Sequence, residues 1–235
     1  MDGQEKDYVA GEIIAIDKPL RWTSFDVVGK IRWLLCRRLG VKKLKVGHTG
    51  TLDPLATGVV VVCTGRKTKD IDLLQQYVKE YVATLQLGAT TPSFDLEKPI
   101  DNIYPTEHIT QALIDEVLPR FKGEICQVPP TFSAVKVDGK RAYEYARKGV
   151  EVEIKPKQLA IDEIEQLSFD IDRMQLRLRI VCSKGTYIRA LARDIGEALG
   201  SGAHLIALRR TRVGDIRVED CMTIEEAEEV LKIKN

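Results

Sequence analysis

Two stretches of the chain alternate apolar and polar residues without a break. KEYVATLQLG (79–88) sets Tyr81, Ala83, Leu85 and Leu87 on one side and Val82, Thr84 and Gln86 on the other. MQLRLRIVC (174–182) turns Met174, Leu176, Leu178, Ile180 and Cys182 inward and Gln175, Arg177 and Arg179 outward. A period of two predicts a half-buried strand at each. GEIIAIDKP (11–19) reads as a third strand ended by a Lys-Pro turn, VVVVCT (59–64) as a buried strand, and another strand fits 204–208. Helical spacing lies between them. Val27, Val28, Ile31, Leu34 and Leu35 form one face of a helix that Ser24 caps and Gly40 ends. Thr106 opens a helix to about Phe121, and Thr186 caps one carrying Ile188, Leu191, Ile195 and Leu199. Thr223 with Glu226 makes a capping box for a short final helix. VKVDGKRAYEYARKG (135–149) predicts a strand, an Asp-Gly turn and a short helix closed by Gly149. Strands and helices are interspersed but not in regular βαβ order, which predicts an α+β fold with a mixed, largely antiparallel sheet flanked by helices.

With 235 residues the chain can form one large mixed domain or two small ones, and 44% apolar against 30% charged residues is an ordinary globular balance. The net charge of +1 conceals patches. Lys30 to Lys69 holds ten basic residues and a single acid, Asp53; Arg173 to Arg217 holds ten more against Asp194, Glu197 and Asp215. Two such segments form the footprint of a nucleic-acid binder if the fold joins them, and a solvated surface if it does not. The five cysteines are widely spaced, without a C-x-x-C pair, which disfavours a disulfide framework and a zinc site and points to a reducing compartment. The N-terminal MDGQEKDYVA lacks the apolar stretch of a signal peptide, and the longest apolar run, VVVVC, is too short to span a bilayer.

Several chemistries fail on spacing. TGRKTK after VVVVC is not a phosphate-binding loop: six residues rather than four separate Gly58 from Gly65, and Arg66 stands where lysine is needed. His48, His108 and His204 are isolated, so no metal site is expected. No serine sits in a G-x-S-x-G elbow. What remains is GHTGTLDPLATG (47–58), where Pro54 holds Asp53 out of helical angles and Gly47, Gly50 and Gly58 permit tight turns and close approach. Alone, this reads first as an Asp-Pro turn stabilised by the aspartate's own side chain and only second as a reactive site. A second segment, CSKGTYIRALARDIG (182–196), gathers Lys184, Tyr187, Arg189 and Arg193 near a helix start, a place suited to a phosphate or a carboxylate.

Taken with DKPLRWTSFDVV (17–28), KEYVATLQLG, QVPPTFSAVKVDGKRAYEYARKG (127–149), SKGTYIR (183–189) and GAHLIALRRTRVG (202–214), GHTGTLDPLATG resembles the bacterial tRNA pseudouridine-55 synthase family, in the family's order from about residue 11 to 217. The resemblance implies a pseudouridine synthase fold with a central RNA-binding cleft, a flexible N-terminus over 1–10, a catalytic domain over 11–217 and a short acidic helix over 218–235 in place of the family's C-terminal RNA-binding extension. It implies that Asp53 is the catalytic aspartate and that His48 contacts RNA beside the extruded nucleotide. By the same resemblance Tyr81 stacks on the target uracil, Tyr187 and Leu208 line the pocket, and Arg189 pairs with the aspartate. Lys18 and Pro19 match a motif that supports the site structurally. ATTPSFDLEKP (89–99) departs from the family's acidic, threonine-rich run, and no functional residue is carried over there. The implied partner is the T-arm stem-loop of tRNA, met by a cytoplasmic monomer without guide RNA, protein partner, membrane, metal or cofactor.

The chemistry calls for these residue types independently. Making pseudouridine breaks the bond from ribose C1′ to uracil N1, turns the base and rejoins it through C5. Nothing is oxidised and no water is consumed. One ionised carboxylate can act at the sugar or at C6, and a neighbouring arginine favours its charged form where solvent is excluded. A uridine inside folded RNA must be flipped out, and aromatic faces replace its lost stacking. Three rivals remain: a non-catalytic RNA-binding module, a guide-RNA-dependent enzyme of the same superfamily, and a hydrolase releasing free uracil.

Overall fold

A computed structural model of the chain describes residues 6–133, 135–146, 148–150 and 152–232. The first half of the predicted N-terminal tail and the last three residues of the predicted acidic tail lie outside them. In chain order the elements are β1 (Ile13–Lys18), α1 (Ser24–Leu39), β2 (Val46–His48), β3 (Ala56–Thr64), α2 (Ile71–Leu74), β4 (Lys79–Leu87), β5 (Ala89–Thr90) and β6 (Asn102–Ile103). There follow α3 (Gln111–Val117), β7 (Gly123–Gln127), β8 (Lys136–Val137), β9 (Lys140–Arg141), α4 (Ala142–Ala146) and β10 (Lys157–Asp170). The chain closes with β11 (Gln175–Cys182), α5 (Ile188–Ala198), β12 (Ala203–Val213), β13 (Ile216–Arg217) and α6 (Ile224–Leu231). This is the α+β class that the irregular alternation of strands and helices predicts.

The chain divides into two compact units, Met1–Glu80 with Arg209–Asn235, and Tyr81–Leu208. In the first, β1 and β2 pair antiparallel with β3, in register Lys18↔Gly58 and His48↔Val62. The apolar run predicted as a buried strand is one: Val59, Val60, Val61, Val62 and Cys63 are all at most 3% exposed. Val59 and Val61 pack with Val213 and Val218. α1 packs against β1, β2 and α6 and buries the predicted face, Val27, Val28, Ile31, Leu34 and Leu35. Its cap is Thr23, not Ser24: the Thr23 hydroxyl accepts from Asp26 N–H and the Asp26 carboxylate accepts from Thr23 N–H. Ser24 is engaged elsewhere, as described below. Gly40 ends the helix at φ 64°, and Thr223 and Glu226 form the expected capping box on α6.

The second unit holds β11, β10 and β7 in antiparallel order, with the buried side of β4 formed by Tyr81, Ala83, Leu85 and Leu87 as the alternation requires. Met174 departs from its predicted inward place: with φ 51° it belongs to the turn before β11 and is only partly buried. Asp138 and Gly139, at φ 49° and 82°, make the predicted Asp-Gly turn of the β8–β9 hairpin. The helix expected from Thr106 begins after Thr110, whose hydroxyl accepts from Leu113 N–H, because Thr106 spends its carbonyl on a separate turn to Ile109. Thr186 does not cap α5 either. Its hydroxyl donates to Ser183 O, and Tyr187 occupies the cap position, where its side chain makes no capping bond to the helix.

Candidate functional site

In the first unit the site is a loop between β2 and β3 that side chains fix at both ends. Ser24 Oγ accepts from Leu52 N–H at 2.8 Å and faces Leu52 O at 3.3 Å, and Arg21 N–H donates to Pro54 O at 2.7 Å. Arg210, 3% exposed, runs its guanidinium under the same loop. Nε donates to Val59 O at 2.7 Å, one Nη to Gly50 O at 3.2 Å and the other to Thr51 O at 3.4 Å. Gly58, at φ 108°, lets the backbone of β12 come this near, since a Cβ there would lie 2.1 Å from Arg210 O. Gly47 and Gly50 have no such backbone angle, so of the three glycines only Gly58 is required by a positive φ. Between these anchors Asp53 is half-buried, its carbonyl accepting from Ala56 N–H.

Within this unit Asp53 has a buried amine as an electrostatic neighbour. Lys18 is fully buried and donates to Pro19 O at 3.0 Å and Trp22 O at 2.6 Å. Burial pushes its amine down to about 8; the Asp53 carboxylate opposes the fall, Arg210 adds to it, and Asp26 and Asp17 oppose it. Lys18 is therefore an electrostatic neighbour of Asp53, a part that its match to a structural motif did not suggest. His48 is held below its ordinary value by burial and by Arg210 and is neutral at pH 7. Gly50 N–H donates to its Nδ1 at 3.2 Å, which leaves the ring proton on Nε2. The Phe25 ring meets His48 edge-on, centroids 5.2 Å apart at 82°.

The second unit carries Tyr81, Tyr187, Arg189 and Leu208. Tyr81 is buried on β4, while Tyr187 and Leu208 are partly exposed. Gln127, fully buried, clamps the Tyr187 backbone in both directions: its Oε1 accepts from Tyr187 N–H and its Nε2 donates to Tyr187 O. Arg189 sits in the first turn of α5, where the helix dipole disfavours a cation. It is buried and compensated. Its two Nη groups donate to Ser93 O and Phe132 O at 3.1 Å, and its Nε lies 3.7 Å from the buried Asp95 carboxylate. Asp95 belongs to the segment from which no functional residue was carried over. Arg210, Ser24, Gln127 and Asp95 were all missed, because only the contacts of the folded chain reveal a clamp or a counter-ion.

Burial pushes the Cys63 thiol up to about 11 and the Cys221 thiol up to about 12, which suits neither to nucleophilic work. Cys63 and Cys182 are buried as expected of core residues, whereas Cys126 is exposed. Among the described residues no group of three or more His, Cys, Asp or Glu is placed to hold a metal ion, and no helix is long and apolar enough to cross a membrane.

Comparison with known proteins gives a consistent result. A model of the N-terminal domain of the TruB family pseudouridylate synthases matches residues 37–188, and one of the tRNA pseudouridylate synthase B C-terminal domain matches residues 189–235. The chain is similar to the tRNA pseudouridine synthase B of Phocaeicola vulgatus, with 66% identity over 219 residues, 93% of this chain and 92% of that protein. It is 64% identical over 226 residues to that of Parabacteroides distasonis, covering 96% of this chain and 95% of the relative. Among solved structures it is similar to a chain of a Cbf5-Nop10-Gar1 complex, with 31% identity and a TM-score of 0.71, covering 94% of this chain and 54% of that one. It thus spans about half the length of the solved chain.

Proposed function

The chain belongs to the TruB family of pseudouridylate synthases and is an isomerase of uridine-55 in the T-loop of tRNA; we propose that Asp53 is the group that acts on the flipped-out uridine. The observation that carries this reading is the fixed loop of the first unit. Arg210, Ser24 and Arg21 bind loop carbonyls and amides on either side of Asp53, so the carboxylate is held in place before substrate arrives. Lys18, fully buried in the same unit, is an electrostatic neighbour of that carboxylate.

The carboxylate attacks the nucleoside at C1′ or C6, the N1–C1′ bond breaks and the detached uracil turns; C5 bonds to C1′, the bond to the carboxylate breaks, and the C5 proton is lost as N1 gains one. Every atom of the substrate is retained, which is why one carboxylate suffices. Tyr81 and Tyr187 give the everted base aromatic faces, worth on the order of 1–3 kcal/mol per stacking contact. Leu208 supplies apolar lining, and neutral His48 meets the RNA beside the extruded nucleotide with its Nε2–H. Arg189, whose Nε lies 3.7 Å from the Asp95 carboxylate, is the proposed counter-ion of Asp53. The enzyme works on tRNA in the cytoplasm as a monomer, without guide RNA, obligatory protein partner or metal. Identity of 64–66% to proteins named tRNA pseudouridine synthase B, against 31% to a chain of a Cbf5-Nop10-Gar1 complex, supports that reading over the guide-dependent one.

Incubating the protein with unmodified tRNA and mapping pseudouridine tests the proposal. Wild type converts uridine-55, and Asp53→Asn or Asp53→Ala binds tRNA but does not turn it over, because phosphate contacts dominate affinity. Full activity in Asp53→Asn would sink the mechanism; release of free uracil would make the protein a hydrolase.

A further inference from the structure

We propose that the outer face of α1 and the lysine-rich loop that follows it form a second RNA contact, a track leading away from His48 along the substrate tRNA beyond its modified loop; this rests on the tRNA activity proposed above. Residues 25, 29, 33 and 37 recur every fourth position and share one helix face. Phe25 is 72% exposed and Trp33 50% exposed, an unusual pair to leave in water on a helix whose opposite face is fully buried. Gly29, between them, leaves the floor bare, since a Cβ there would meet nothing within 4 Å. The Arg37 guanidinium lies 4.9 Å from the centre of the Trp33 ring, and the ring thereby holds an exposed cation on this face. From Phe25 to Arg37 the face runs about 18 Å along the helix axis. At its start Phe25 touches His48 edge-on.

Past Gly40 the chain presents Lys42, Lys43 and Lys45, all exposed, and no acid occurs between Asp26 and Asp53. Among the described residues none of these lysines has an ion-pair partner. By contrast, Arg173, Arg179, Arg189, Arg193, Arg209 and Arg212 of the other basic segment each face a carboxylate. Lys30 is likewise taken, by Glu228. The α1 side therefore carries a run of positive charge that no carboxylate among the described residues neutralises. A protein partner fits this face poorly, because protein interfaces are depleted in lysine. RNA fits it well: lysine and arginine meet phosphates, and aromatic and guanidinium planes meet unpaired bases.

The test uses two variants that do not share an element, Trp33→Ala/Arg37→Ala on the helix and Lys42→Ala/Lys43→Ala on the loop. Affinity for unmodified tRNA is measured from low to high salt, and single-turnover pseudouridine formation at saturating enzyme. Each variant binds about tenfold more weakly with a shallower dependence of log Kd on log salt, by nearly one unit for every phosphate it no longer meets, while the saturated rate keeps its wild-type value. Wild-type affinity and slope in both variants would overturn the proposal, as would disruption of self-association or of a protein complex with RNA binding intact. Should wild type itself fail to modify uridine-55, the tRNA reading falls first; should wild type turn over while both variants bind normally, only the track falls.

Discussion

Removing the Arg210 guanidinium takes a buried donor from the Val59 carbonyl and part-buried donors from the carbonyls of Gly50 and Thr51, at the base of the loop that carries Asp53. An unsatisfied buried acceptor costs about 1–3 kcal/mol, so Arg210→Met is expected to destabilise the protein by about 1–3 kcal/mol, read from denaturant midpoints. Because the loop is then free to move, kcat falls by more than KM rises, and added guanidinium restores part of kcat. Lys18 offers a prediction in pH. Its folded value of about 8 lies below the 10.5 of an exposed lysine, so between these limits the unfolded chain binds more protons and stability rises with pH. Against Lys18→Met, wild type is expected to gain stability from pH 8 to 10.5, and urea melts of the two proteins across that window measure the gain. A constant difference would mean that the amine is not suppressed. The loop that carries Asp53 was legible in the sequence because proline and glycines mark it, and the family because a dozen residues match in order. Arg210 was not: it lies 157 positions from Asp53, and nothing in LRRTRVG says which arginine turns inward.

Among the elements, β3 depends on one residue without a side chain. Gly58 combines φ 108° with a backbone oxygen 2.1 Å from where a Cβ would stand, and a backbone cannot swing aside as a flexible side chain can. Gly58→Ala is expected to cost at least about 3 kcal/mol and to reduce soluble yield, whereas Gly29→Ala, in open space on exposed α1, is expected to be neutral or slightly stabilising. Paired thermal melts check both. Regular elements were legible wherever one period held throughout: β4, β11, α1 and the core face of α5. The fourteen-residue β10 was not, because its ladder to β11 slips between Ile161 and Glu163 and again between Gln166 and Ser168. Each bulge flips the inward face, so KQLAIDEIEQLSFD shows no sustained alternation. The misplaced caps share another cause. Ser24, Thr106 and Thr186 are all good capping types, but each neighbours another polar group or has a nearer partner, and propensity alone does not choose between adjacent hydroxyls.

For the molecule as a whole, charge totals and charge placement give opposite expectations. A chain of net charge +1 would be expected to bind a polyanion weakly and with little dependence on salt. The placement says otherwise: arginines of the segment Arg173 to Arg217 largely face carboxylates of their own unit, while Lys42, Lys43, Lys45 and Arg37 face none among the described residues. Phosphates that replace small anions and meet those lysines and arginines release condensed counter-ions into solution, and that release is governed by local charge, not by the total. A plot of log Kd for unmodified tRNA against log salt is therefore expected to rise with a slope of several units. Asp53→Ala is expected to keep that slope, since it removes the chemistry and leaves the phosphate contacts in place. A slope near zero would mean that the basic residues only solvate the surface and that affinity comes from shape and stacking at the flipped base. A steep slope in wild type that collapses in Asp53→Ala would instead make the loop a structural part of the RNA contact, and the assignment of Asp53 to chemistry would have to be given up.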